Sequence, residues 1–273
     1  MGIRFLYNSL QMGEVLGFNP QSLAEEARKI LESRHLVYDL AGRRLALTAT
    51  QLQDHLSRPE NTFHLAIVGS PNRSKTTYAY SCYKVLKAYD IPASYHDLDL
   101  YTQSGKAISG EIDWSYRIKR GFDEVPEQEV VQSIRAFLED RPGVAIADFP
   151  GKLNDPYQTD RLKGVDLAII LGRDRGDVGG WERLCSNVGV KRRFLISETK
   201  PPLPYVTLYP SFFNLTRTVR VSPMMLVSVT SILQEIAQIR GVKISPWESC
   251  FSKAERVVLG EILDFSFSIR MDE

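Results

Sequence analysis

The strongest chemical signal in the chain is the octapeptide Gly69-Ser70-Pro71-Asn72-Arg73-Ser74-Lys75-Thr76. It follows the apolar run His64-Leu65-Ala66-Ile67-Val68 and opens a stretch with helical character from Lys75 to Ala88. A loop between a buried strand and a helix N-terminus turns several backbone N–H groups toward one point, the arrangement that cradles a phosphate. Gly69, Arg73, Ser74, Lys75, Thr76 and Thr77 would line that cradle. The Lys75 ammonium would meet β and γ phosphate oxygens, and the Thr76 hydroxyl would hold Mg²⁺. Of the positions specified by the pattern G-x-x-x-x-G-K-[ST], only the second glycine is missing, replaced by Ser74. A Cβ there is expected to crowd the backbone against the phosphates. The rival reading is a strand–turn–helix junction whose Ser-Lys-Thr is a solvated helix start. Correct flanks on both sides favour the phosphate reading.

Two acidic positions extend this chemistry. The run Val144-Ala145-Ile146-Ala147 ends in Asp148, followed by Phe149-Pro150-Gly151. A carboxylate at that strand end orders Mg²⁺ through its water shell. The expected catalytic pair is therefore Lys75 and Asp148, with Thr76, Asp148 and Asp97 around the metal. Asp97 and Asp99 close the strand-like run from Ala93 to Leu98. They are either metal or acceptor ligands or two solvated turn carboxylates. The guanine-recognising Asn-Lys-x-Asp is missing, and Gly172-Arg173-Asp174-Arg175-Gly176-Asp177 stands in its place, so the base expected is adenine and the nucleotide ATP.

On these residues, positions 63 to about 200 resemble a P-loop nucleoside triphosphatase, nearest in style to the SIMIBI class and the small-molecule kinases. Asp148-Phe-Pro-Gly151 resembles the DxxG switch of GTPases and their ATPase relatives, which implies that the Gly151 amide senses the γ-phosphate. The order of motifs is also similar to ATPase domains attached to, or encoded beside, CRISPR-associated ring-nuclease proteins. That similarity rests on the phosphate loop, Asp97 with Gly110 and Trp114, the Asp148–Gly151 stretch, Ile170-Leu171, Trp181 with Cys185, and Ser197. Ser74 and the Phe149-Pro150 pair depart from the usual pattern, which bears on hydrolysis more than on binding.

The elements that must position these groups follow from periodicity. Apolar runs at 63–68, 93–98, 144–148, 165–171 and 194–196 alternate with helical patterns at 75–88, 126–139 and 178–188. This alternation predicts an α/β fold, a mostly parallel sheet with helices on both faces. Before it, Ser22–Leu36 reads as a helix, Val37–Leu47 as a short hairpin or extended pair around Ala41-Gly42, and Leu47–Leu56 as a helix with Thr48 near its N-cap. The predicted layout is a small α+β appendage at 1–61, a nucleotide-binding domain at 62–240 that ends in a helix near Pro223–Ile239, and a helical extension at 241–273 with a helix near Lys253–Phe265. Residues 101–125, with Gly105, Gly110 and Gly121, form a long connection expected to border the pocket as a lid or partner surface.

Composition bounds the rest. In 273 residues, 34 Lys and Arg balance 33 Asp and Glu, so net charge supplies no drive toward nucleic acid or anionic lipid. Four scattered histidines and three widely spaced cysteines lack metal-ligand spacing. No secretory leader and no membrane-spanning run is read, and the location expected is cytoplasmic. Lys191-Arg192-Arg193 reads as a solvated strand start, and Trp181 and Cys185 as one buried helix face. Two functions remain in view. One is a Mg²⁺-dependent ATP phosphohydrolase or kinase of a small acceptor. The other is a non-catalytic interaction or regulatory subunit on the same scaffold, in a nucleic-acid-processing or antiviral defence assembly. The partner is a nucleotide and, in addition, a protein or a second copy of the chain.

Overall fold

A computed structural model describes residues 20–172, 175–196, 223–246 and 248–266. The chain enters through helices α1 (Pro20–Glu32) and α2 (Arg34–Leu56). The hairpin expected at 37–47 is absent, because Ala41, Leu45, Ala49, Leu52 and Leu56 are all buried at spacings of three and four residues. That helical period overrides the local alternation around Gly42. Thr48 is not a cap either: its hydroxyl donates back to the Arg44 carbonyl at 3.0 Å inside the helix. The described part of the N-terminal region is helical, not α+β.

From Phe63 onward strands and helices alternate: β1 (Phe63–Gly69), α3 (Lys75–Ala88), β2 (Ala93–Asp97), α4 (Ser104–Ser109), α5 (Glu127–Glu139), β3 (Val144–Asp148), α6 (Gln158–Leu162), β4 (Leu167–Gly172), α7 (Arg175–Val188) and β5 (Lys191–Ile196). The five strands lie in the order β2-β3-β1-β4-β5, and every neighbouring pair is parallel. Every residue of β1, β3 and β4 is buried, as sandwiched parallel strands require. The basic run 191–193 lies within β5 and not ahead of it.

Both faces carry helices. Tyr95 of β2 meets Tyr80 of α3 edge-on at 5.3 Å, while the next residue, His96, meets Phe137 of α5 at 5.6 Å. Successive strand residues point to opposite faces, so α3 and α5 cover opposite sides. Phe137, Leu162 of α6, and Val178, Trp181 and Cys185 of α7 share one core with Ala66, Val68, Ala145, Ala147, Ala168 and Ile170. The β1-to-β2 step runs across the sheet opposite to the later steps. A right-handed crossover therefore places α3 alone of these helices on its own face. The connection leaving β1 and those leaving its neighbours β3 and β4 thus part to opposite faces, which opens a crevice at the carboxyl end of β1.

Helices α8 (Pro223–Arg240) and α9 (Lys253–Ser266) complete the described chain. Among the described residues, 20–51 with 223–246 and 248–266 form one compact unit and 52–172 with 175–196 another, so α8 groups with the N-terminal helices, whereas the sequence layout had it in the 62–240 domain. Within that helical unit α9 packs on α1 and α8. Arg43 bonds the Glu255 carboxylate at 3.0 Å and the Cys250 carbonyl at 3.2 Å, with its guanidinium over the Phe251 ring. Among the described residues no helix is long and apolar enough to cross a membrane.

Candidate functional site

At the carboxyl end of β1 the chain makes a tight loop. Gly69 sits at φ 142°, and a Cβ on it would lie 2.3 Å from the Leu171 carbonyl oxygen of β4, so this close approach excludes a side chain. Asn72 at φ 61° and Ser74 at φ 58° are both left-handed. Ser74 is the N-cap of α3, yet its side chain makes no capping hydrogen bond. The reason a glycine suits this position is therefore conformational: a serine held there costs about 1–2 kcal/mol. Crowding by Cβ was the sequence-level expectation; backbone strain is what the structure displays.

Lys75, the first residue of α3, is buried, and its ammonium donates to the Ser70 carbonyl at 3.2 Å, back across the loop. Burial lowers its pKa; Asp148 and Asp99 oppose that shift and Arg73, half-buried on the loop, adds to it. The Thr76 hydroxyl donates to Oδ2 of Asp148. Asp148 is wholly buried at the end of β3, and its Oδ1 has no partner. Burial pushes its carboxyl up to about 7, against the pull of Lys75 and the Thr76 bond and with a further push from Asp99. Thr77 is half-buried beside Thr76 in α3. Gly151 lies flat on this loop: a Cβ there would come within 2.7 Å of the Pro71 nitrogen and 3.0 Å of Lys75 Nζ. The structure thus brings Lys75, Thr76, Asp148 and Gly151 together across 76 residues of sequence.

The acidic pair after β2 divides its tasks. Asp97 stands opposite Asp148 in the β2–β3 register. Its Oδ1 accepts the Asp99 N–H at 3.1 Å and its Oδ2 the Gly105 N–H at 2.9 Å, so both oxygens hold the turn that leaves the strand. Burial, then Asp148 and Asp99, raise its pKa well above the carboxylate range. Both oxygens of Asp97, which the sequence placed among the metal ligands, are engaged by backbone N–H groups here. Asp99 is buried too, and Lys75 is the foremost influence opposing the upward shift that burial imposes on it.

Sequence reasoning missed two features. Tyr95, two residues before Asp97 on the same face, buries its hydroxyl without a partner, and the three carboxylates reinforce the rise that burial gives its pKa. Its position before an acidic strand end was the available signal. The second is the buried pair Arg161–Asp155, 2.6 Å apart and with neither side chain exposed. Arg161 also reaches the Tyr101 hydroxyl at 3.4 Å. Tyr101 packs with Phe122 and Val125, and Lys152 lies over the Phe122 ring at 4.6 Å, so the segments following β2 and β3 share a small core. Nothing in the spacing of these residues announces it. Arg173 and Ser197 lie outside the described residues.

The arrangement offers a buried cation, a hydroxyl, a carboxylate with one free oxygen, and the start of a 14-residue helix. Among the described residues no group of three or more His, Cys, Asp or Glu is disposed to hold a metal. Mg²⁺ does not need one, because it takes one or two protein oxygens, keeps waters and completes its shell with substrate phosphates. The Thr76 hydroxyl and the orphan Asp148 Oδ1 fit that donor set. Comparison with protein-family models finds none that matches this chain, and comparison with curated proteins finds no match either.

Proposed function

We propose that this α/β protein is a P-loop nucleoside triphosphate-binding protein that takes Mg·ATP on the Gly69–Thr76 loop and acts as a phosphohydrolase or as a kinase of a small acceptor in the cytoplasm. One observation carries the reading: Lys75, the Thr76 hydroxyl and the unpartnered oxygen of wholly buried Asp148 converge at the crevice beyond β1. In this reading the loop N–H groups and the first turn of α3 bind the phosphates. Lys75 leaves the Ser70 carbonyl to neutralise the β and γ oxygens, and Thr76 and Asp148 supply the protein oxygens of the metal shell. Gly151, already against the loop, relays the presence of the γ-phosphate to the segment after β3. Bound Mg²⁺ neutralises charge on the phosphate oxygens. Catalysis is positioning and charge neutralisation throughout, with no covalent intermediate.

A specific observation favours the second reading, a non-catalytic interaction or regulatory subunit on this scaffold without efficient turnover. The serine strained at φ 58° stands in the loop itself, and the Lys75 ammonium is engaged by the loop's own carbonyl. The first reading requires nucleotide binding, which a thermal shift tests. At one hundred times its dissociation constant Mg·ATP adds about 2.7 kcal/mol of stability. Lys75→Ala is expected to weaken triphosphate binding more than diphosphate binding, because the lost ammonium faces the γ oxygens. Melting curves that do not move with ATP or GTP and Mg²⁺ end the nucleotide-binding claim. Turnover measured on the same samples then separates enzyme from subunit.

A further inference from the structure

Gln158, the first residue of α6, is buried with half of its amide unused. Its Nε2 donates to the Pro150 carbonyl at 3.0 Å and to the Lys152 carbonyl at 2.9 Å, while its Oε1 has no partner. These two oxygens fix the orientation of the amide, because turning it over would set an acceptor against two acceptors. One side chain thus grips the carbonyls on both sides of Gly151. Gln158 is itself held. Its N–H donates to the Asp155 carbonyl at 3.2 Å, the Asp155 N–H donates to the Lys152 carbonyl at 3.3 Å, and the Asp155 carboxylate is tied to Arg161. Burying an unpaired acceptor costs about what two donated bonds return. Stability alone therefore gives little reason for an amide at this position.

What the clamp controls is a peptide plane. The Pro150–Gly151 peptide is trans, so its C=O and N–H lie in one plane and point to opposite sides. With the Pro150 oxygen anchored on Gln158, the Gly151 N–H is turned away from Gln158. Among the described residues that N–H has no hydrogen-bond partner. Gly151 lies against the phosphate loop, where a Cβ on it would come within 2.7 Å of the Pro71 nitrogen and 3.0 Å of Lys75 Nζ. A free N–H of fixed direction beside a lysine ammonium is a preorganised donor for an anionic oxygen. We infer that Gln158 is a positioning residue, which aims the Gly151 N–H at the terminal phosphate and so sets the discrimination of triphosphate from diphosphate. Gln158 acts through Gly151 and touches no nucleotide atom itself. The inference rests on the nucleotide-binding reading and adds to it the residue that governs which nucleotide state is held.

Calorimetric titration of the full chain with the β,γ-imido analogue of ATP and with ADP, each with Mg²⁺, tests it. The wild type is expected to bind the analogue more tightly than ADP, and only the analogue should slow amide hydrogen exchange over residues 149–155. Gln158→Met, of similar length and without a donor, should weaken the analogue about tenfold, as expected for one charge-assisted bond, and ADP less than about twofold. Gln158→Glu keeps the shape with at most one donor and should shift the same ratio in the same direction. Equal weakening of both nucleotides would make Gln158 merely structural and overturn the inference, as would an unchanged ratio in the folded variants. If neither variant folds, the wild type decides alone: an analogue that binds without slowing exchange over 149–155 overturns the inference. A wild type that binds analogue and ADP equally well also overturns it, while leaving the nucleotide-binding reading in place. A wild type that binds neither ends that reading, and the inference with it.

Discussion

Replacing Ser74 by glycine isolates the one backbone oddity of the candidate site. Ser74 holds φ 58° at the N-cap of α3 and makes no capping bond with its side chain. A left-handed non-glycine residue costs about 1–2 kcal/mol relative to the ordinary helical or extended regions. Glycine removes that cost but loses about 0.5–1 kcal/mol more conformational freedom on folding. The balance favours Ser74→Gly by up to about 1.5 kcal/mol, a rise in melting temperature of up to about 6 °C for a unit of this size. Ser74→Ala is the control. It keeps the Cβ and therefore the strain, and deletes only a hydroxyl that caps nothing, so it should stay within about 0.5 kcal/mol of wild type. Thermal unfolding followed by near-ultraviolet circular dichroism reads all three proteins, and titration with Mg·ATP reads the same samples for affinity. Relief of strain at the mouth of the cradle should leave nucleotide affinity equal or improved. Destabilisation by glycine, or equal gains from glycine and alanine, would refute the argument, because either result would place the effect in the hydroxyl and not in φ.

Asp148 provides a pH test: its folded pKa of about 7 exceeds the unfolded value near 3.9, so the folded state binds more protons and this group's contribution to stability falls as pH rises from about 4 to about 7. Asp148→Asn should flatten that fall, measured by urea unfolding at pH 5 and pH 8; an unchanged pH dependence would mean the carboxyl is not perturbed. Gly151→Ala drives a Cβ to 2.7 Å from the Pro71 nitrogen and 2.9 Å from its Cα, backbone atoms with little room to yield, and should cost about 1–3 kcal/mol in thermal unfolding while weakening nucleotide binding. Wild-type behaviour there would show the loop and the post-β3 segment to be independent. Arg161→Ala leaves Asp155 buried and unpaired and should cost about 3–5 kcal/mol in urea, against under about 1 kcal/mol if the pair is dispensable.

What the residues alone determined is the local grammar of the sheet. Helix α3 runs from Lys75 to Ala88, as its pattern indicates, and Val144–Asp148 forms the strand that its apolar run requires. Such runs are legible because burial on both faces leaves no polar position in the strand. The loop between β1 and α3 was legible for the same reason, since a glycine, a lysine and a hydroxyl at fixed offsets are local facts. Tertiary structure decided what local pattern leaves open. Val37–Leu47 alternates like a hairpin, but burial of Ala41, Leu45, Leu52 and Leu56 along one stripe makes it helix. Asp97 and Asp99 are equivalent on paper. Only the register opposite Asp148 and the Gly105 N–H assign Asp97 to the turn and leave Asp99 to Lys75. Tyr95, Arg161 and Asp155 acquire meaning solely through groups up to 60 residues away, and α9 packs on α1 across the length of the chain. A buried charge or hydroxyl is defined by the partners that replace water around it, and those partners are chosen by the fold and not by sequence neighbours.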